Sequence, residues 1–230
     1  YEAYQITEIS KISYQSHRGL IDIYSSETIR EKVSSIINKH EYKMFMDFEL
    51  TMPSYDEKES FTPELLQIGC VIVDEFDEVI NFYSNYIKTN KEVSDRTKKF
   101  LHIFDSDLEE SIEIKDFYND YKDLIEIYDP TIYVWGTNDT IGLNNFYKIN
   151  DYKPIKARYV DLLKEIRNYF KLHKDIGLFT CLKEFNDIDA RQAHHALTDA
   201  AATKEVYDSF KKIINGKLDK TLNDDDDIEE

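Results

Sequence analysis

Asp47 and Glu49 stand two residues apart in the apolar run Lys43-Met44-Phe45-Met46-Asp47-Phe48-Glu49-Leu50. Residues two apart on a strand share a face, so both carboxyls point the same way. Two carboxylates held that close in a core strand raise each other's pKa and resist joint ionisation. A divalent cation between them reverses the balance, because hard cations take carboxylate oxygens as ligands. Two further segments add to the pair. The run Thr131 to Trp135 is β-branched and aromatic and ends at Gly136, with Asp139 in the turn or first helical residues beyond it. His194 precedes His195-Ala196-Leu197-Thr198-Asp199-Ala200, where a long helical stretch opens. His194 and Asp199 are five apart, so they do not stack as an i, i+4 pair would. With His194 in the entering loop and Asp199 on the first turns, both can still face one site. The chain thus offers four carboxylates (Asp47, Glu49, Asp139, Asp199) and one imidazole.

The elements that must position these groups are legible in the periodicity. Residues 43–50, 66–75 and 78–88 read as consecutive strands, the last two joined by a tight acidic turn; 131–135 and a short 157–161 follow as a fourth and fifth. Helices are expected over 27–39 with Ser26 as cap, 95–104, and 109–127 with Ile112, Phe117, Tyr121 and Leu124 on one stripe. Others are expected from the fourth strand to about 148, then at 161–172, 177–186 and 195–214. Antiparallel strands followed by alternating strand and helix predict an α/β fold, a mixed five-stranded sheet flanked by helices. Residues 1–42 read as an N-terminal extension: a swapped arm, a protein-partner element or an added layer. Residues 43–215 read as the working domain and 216–230 as a disordered acidic tail.

Asp47-x-Glu49, Trp135-Gly136-x-x-Asp139 and His194-x-Ala196-Leu197-x-Asp199-Ala200 resemble, in order and context, the DEDDh branch of the 3′–5′ exonucleases. Within that branch the chain is similar to the small enzymes related to histone-mRNA and short-interfering-RNA exonucleases. It is also similar to bacterial proteins named as inhibitors of the sporulation kinase pathway. Asp47 to Pro53 and Phe61 to Gly69 look like their first motif and the segment after it; the likeness spans roughly residues 43–214.

The resemblance implies an RNase H-like fold and metal-dependent hydrolysis at the 3′ end of single-stranded RNA or DNA, RNA slightly favoured. The implied product is nucleoside 5′-monophosphate. It further implies two Mg²⁺ or Mn²⁺ ions, about 3.5–4 Å apart, clamping the scissile phosphate. On that pattern Asp47 bridges both ions, Glu49 and Asp199 hold the one carrying the nucleophile, and Asp139 acts through the other. His194 rather than His195 then accepts the water's proton, which imidazole can do near neutral pH. Leu50, Thr51 and Met52 are implied, weakly, to meet the terminal nucleotide. A second reading keeps the fold but makes the chain a regulatory interaction module with incidental nuclease activity.

Composition sets the limits. A hydrophobic content of 41% over 230 residues indicates a globular chain with a sizeable core, and no run spans a bilayer. Cys70 and Cys181 both lie in apolar runs and read as buried thiols of a cytoplasmic protein. The net charge of −17, six units of it within Asp224–Glu230, argues against tight, non-specific duplex binding. Local cations therefore matter more than the sum; Lys153, Lys156, Arg158, Lys183 and Arg191 are the candidates. Trp135 reads as core rather than as a base-stacking surface.

Overall fold

The computed structural model describes residues 41–56, 61–188, 190, 192 and 194–224. The expected helix at 27–39, the extension up to residue 40, and Arg191 lie outside the described residues. β1 (Lys43–Leu50) runs through the middle of a five-stranded sheet of order β3-β2-β1-β4-β5. β2 (Leu65–Val73) and β3 (Val79–Tyr86) add antiparallel on one side. β4 (Thr131–Val134) and β5 (Arg158–Asp161) add parallel on the other.

Alternation along β1 divides the layers. Met44, Met46 and Phe48 join a core with Phe117 and Tyr121 of α3 (Ile114–Tyr128) and Phe146 of α4 (Asn138–Ile149). Phe45 packs on the other face against Ala200 and Tyr207 of α7 (Ala196–Ile214). Burying each such side chain stabilises the fold by about 1.5–3 kcal/mol. Asp47 and Glu49 share the parity of Phe45, so the pattern that builds the core also turns both carboxyls toward α7. A second core joins α5 (Leu162–Phe170), α6 (Leu178–Asn186) and α7 through Ile166, Leu182, Phe185 and Val206, with Trp135 half-buried against it. Cys70 and Cys181 are buried free thiols.

Three sequence boundaries shift for physical reasons. The helix expected over 95–104 ends at Phe100, because Leu101 closes it and His102 takes a left-handed φ of 53°. It becomes α1 (Asp95–Phe100), with a separate short α2 (Asp105–Glu109). The helix expected from 109 starts at Ile114, since Ile112 is held in backbone hydrogen bonds to Tyr86 and Lys88. Residues 216–224 stay on the body: Leu222 is buried in the second core, and Asp224 accepts hydrogen bonds from the His173 and Lys174 amides. Residues 225–230 lie outside the described residues. Among the described residues no helix is long and apolar enough to cross a membrane.

Candidate active site

The five sequence-predicted site residues converge at the carboxyl end of β1, where crevices form in open α/β sheets. Glu49, His194 and Asp199 each bring a donor atom to within 4.8 Å of the other two. Asp139, in the first turn of α4, accepts a hydrogen bond from the Phe48 amide at 2.9 Å and so lies against the strand between Asp47 and Glu49. Asp199, in the first turn of α7, is 1% exposed. Its Oδ2 accepts from Gln192 Nε2 at 2.8 Å, while its buried Oδ1 has no partner among the described residues.

The electrostatics are those of a buried acidic cluster. Burial, then the charges of Asp139, Glu49 and Asp199, push the Asp47 carboxyl well above the ordinary range. Glu49 is pushed up to about 7 by burial, Asp199 and Asp139. Burial raises Asp139 to about 7 although the Phe48 amide opposes it. Asp199 is raised by burial, moderated by Gln192 and the two histidines. Oxygen donors that repel one another, an unpartnered buried Oδ1 and a nearby imidazole fit a divalent metal centre.

A pH dependence follows. The folded metal-free protein holds protons on these carboxyls that the unfolded chain, with pKa values near 4, releases. Stability from this site is therefore fully present below about pH 4 and is lost as pH rises toward about 7. Asp77 has the opposite sign, because its ion pairs with Lys211 and Lys43 outweigh burial and hold it below its ordinary value. Melting curves in EDTA should thus show the wild type losing stability relative to Glu49→Gln between about pH 5 and about pH 8, since Glu49 is the carboxyl raised to about 7. Saturating Mg²⁺ should restore the wild type alone. Parallel curves for the two proteins would contradict this account.

Of the two histidines, His194 has a ring nitrogen in the donor cluster. His194 has a left-handed φ of 50°, and its ring lies 4.3 Å from that of Phe100, between centroids. His195 occupies the N-cap of α7, with Nδ1 buried and without a partner among the described residues. Leu50 touches α4 at Gly142. Thr51 is tied to Glu64 through both its amide and its hydroxyl. The Met52 amide donates to Thr97 Oγ1 at 2.9 Å, and its carbonyl accepts from Ser94 Oγ at 2.9 Å. Leu50 to Met52 thus run from the end of β1 toward α1, and Thr51 and Met52 line a cleft of about 310 Å³ there.

Sequence reasoning missed the groups that seat α7. Gly69 is the β2 partner of Asp47, and Gln67 is the partner of Glu49. A Cβ on Gly69 would lie 2.1 Å from the Ala196 carbonyl carbon and the Leu197 nitrogen, so α7 begins directly against this strand. Gln67 Oε1 accepts the Ala196 amide at 3.0 Å, satisfying one of the donors that a helix start leaves open. A lone glycine inside an apolar strand was the available signal, since it marks close backbone approach. The basic candidates fared differently. Arg158 pairs with Asp129, and its partner in the sheet is Thr131, at the Lys43 end of β1 and away from the carboxylates.

A model of the exonuclease family (RNase_T) matches residues 44–207. The probable 3′–5′ exonuclease KapD of Bacillus subtilis strain 168 is 30% identical over 169 residues, covering 71% of this chain and 82% of that protein. The nuclease domain of 3′hExo, a DEDDh family member bound to rAMP, superposes with a TM-score of 0.66 at 16% identity, over 80% of this chain and 97% of that one. E. coli exonuclease I in complex with a dT13 oligonucleotide gives a TM-score of 0.58 at 18% identity, over 75% of this chain and 41% of that one. The structural likenesses speak for the RNase H-like exonuclease fold.

Proposed function

The chain belongs to the exonuclease family, and from that premise we propose two-metal hydrolysis at the 3′ end of single-stranded nucleic acid, RNA ahead of DNA, releasing nucleoside 5′-monophosphates. Membership itself carries the coarser statement. The protein is a 3′–5′ exonuclease, a phosphodiester hydrolase that depends on divalent metal and acts on nucleic acid. The observation that carries the finer reading is the cluster of Glu49, His194 and Asp199 donors beside the unpartnered Asp199 Oδ1. The rAMP bound to the 3′hExo domain supports placing RNA first.

Asp47, Glu49, Asp139 and Asp199 would hold two Mg²⁺ or Mn²⁺ ions, which when bound supply a water that ionises near neutral pH and offset charge on the phosphate. A ring nitrogen of His194 takes the proton of the attacking water. The water oxygen bonds to phosphorus as the P–O3′ bond breaks. The shortened strand keeps the 3′ oxygen, which takes its proton from solvent, and the terminal nucleotide leaves as a 5′-monophosphate. Phe100 holds the His194 ring from one side, and Leu50, Thr51 and Met52 border the terminal nucleotide. Residues 43–215 carry the activity.

Incubating the protein with 3′-labelled single-stranded RNA should release labelled mononucleotide in Mg²⁺ or Mn²⁺ and none in EDTA. No release with either metal would sink the reading. His194→Ala should lower kcat by about 10²–10⁴-fold, the usual contribution of a positioned base, and His195→Ala by far less. Equal losses would assign the proton to the other ring or to neither. DNA of the same sequence, assayed beside the RNA, decides the sugar preference.

A further inference from the structure

An exonuclease must hold the strand behind the nucleotide it removes, and a chain of net charge −17 repels that strand at distance. The α1 region interrupts this acidity next to the site. Arg96, Lys99 and Phe100 are three and four residues apart and share one face of α1. The flank beside that face is anchored by buried Thr97, whose hydroxyl bonds both the amide and the carbonyl of Met52. Phe100 is 46% exposed although its ring touches that of His194, so one of its surfaces looks outward from the catalytic rim. The Arg96 guanidinium lies 5.6 Å over the ring of Tyr55, which is 74% exposed. Lys91 lies 5.5 Å over the Phe61 ring. Lys91, Arg96 and Lys99 have no ion pair among the described residues, whereas Lys98 on the same helix is taken by Asp105 at 2.8 Å.

We propose that this face of α1, with Tyr55 and Phe61, binds the few unpaired nucleotides behind the 3′ end. It takes their bases by stacking on Phe100 and Tyr55 and their phosphates on Arg96 and Lys99. Exposed rings beside unpaired cations are what a sequence-tolerant single-strand site needs, since every base offers a π-face. A duplex keeps its bases stacked on one another and gains nothing from the rings. In the adjoining cleft Glu64, Glu92 and Asp95 outnumber Lys91, which favours phosphates on the Arg96 and Lys99 side. The proposal rests on the exonuclease reading of the carboxylate site and adds the substrate path to it.

The test compares the wild type with Arg96→Gln/Lys99→Gln and with Tyr55→Ala. The probe is a 5′-fluorescein oligo(U) about twelve nucleotides long, a length within single-strand site sizes. Binding is read by anisotropy with Ca²⁺ in place of Mg²⁺. The double variant should bind about tenfold more weakly. Its slope of log K against log salt should be shallower by about 1.4, the value for two lost phosphate contacts on a single strand. Tyr55→Ala should weaken binding about tenfold with its salt slope kept. In Mg²⁺ the variants should lose far more activity on the oligonucleotide than on thymidine 5′-nitrophenyl phosphate, which has no nucleotide behind the scissile bond. Unaltered affinity and slope, equal losses on both substrates, or no binding by the wild type would each overturn the proposal. Absence of hydrolysis by the wild type would count against the activity, while the binding data still decide the α1 face.

Discussion

Asp47→Asn is expected to lower exonuclease turnover by at least about a thousandfold without unfolding the protein. Outer partners of a metal ligand already cost about 10–100-fold when lost, and in the proposed ligand set Asp47 lies inside that shell, on the strand that orders the rest. Asparagine keeps the shape and removes the charge, so substrate alignment is preserved while the central oxygen donor is weakened. The same change should raise the melting temperature of the metal-free protein. Asp47 is the carboxyl on which burial and the charges of Asp139, Glu49 and Asp199 all press, and removing it relieves that repulsion. The two readouts then move in opposite directions, as expected where a site holds like charges together for function. Turnover within tenfold of wild type, measured by mononucleotide release in saturating Mg²⁺, would show that Asp47 is not a ligand. Lower stability in EDTA would show that the repulsion has been overstated.

Gly69→Ala is expected to be the most damaging single methyl group that can be added near the site. The new Cβ would meet the Ala196 carbonyl carbon and the Leu197 nitrogen at 2.1 Å. Both are backbone atoms with no rotamer to escape into, so α7 must withdraw from β2 by more than an ångström. That shift takes Asp199 and His194 away from Glu49 and strains the bond from the Ala196 amide to Gln67. A destabilisation of about 3 kcal/mol, the upper part of the range for overpacked cores, should accompany near-complete loss of activity. Gly142→Ala is the control. Its Cβ would meet Leu50 Cδ2 at 2.8 Å, but that atom ends a flexible side chain, and alanine gains about 1 kcal/mol over glycine within a helix. Thermal melting of both variants, with activity beside it, separates a backbone clash from a side-chain one. Gly69→Ala melting at the wild-type temperature would refute the close seating of α7.

Much of this was legible because it is local. The strand parity that puts Asp47 and Glu49 on one face, the glycine turn before Asp139, and the entry of His194 into a helix carrying Asp199 are all short-range patterns. Their joint order along the chain carried the family resemblance, and the sheet they predict is the sheet observed. The choice of His194 over His195 also came from spacing, and the donor cluster includes His194.

Other features depend on which distant segments come to lie against one another. Gln67 reaches across 129 residues of sequence to the Ala196 amide, and Gly69 leaves the space for that approach. Phe100 belongs to a helix that sequence periodicity drew four residues too long, and nothing local says that its ring meets His194. The α1 cations of the proposed strand path were not among the sequence candidates, of which Arg158 lies at the far end of the sheet, because a residue's distance from a crevice is set by topology and not by its neighbours in the chain. The sequence by itself determined which carboxyls and imidazole the chain offers, and the strand and helices that bear them, through side-chain chemistry and period. Only the tertiary structure decided how closely α7 sits on β2 and what lines the way in, because both are matters of packed volume between segments far apart in the chain.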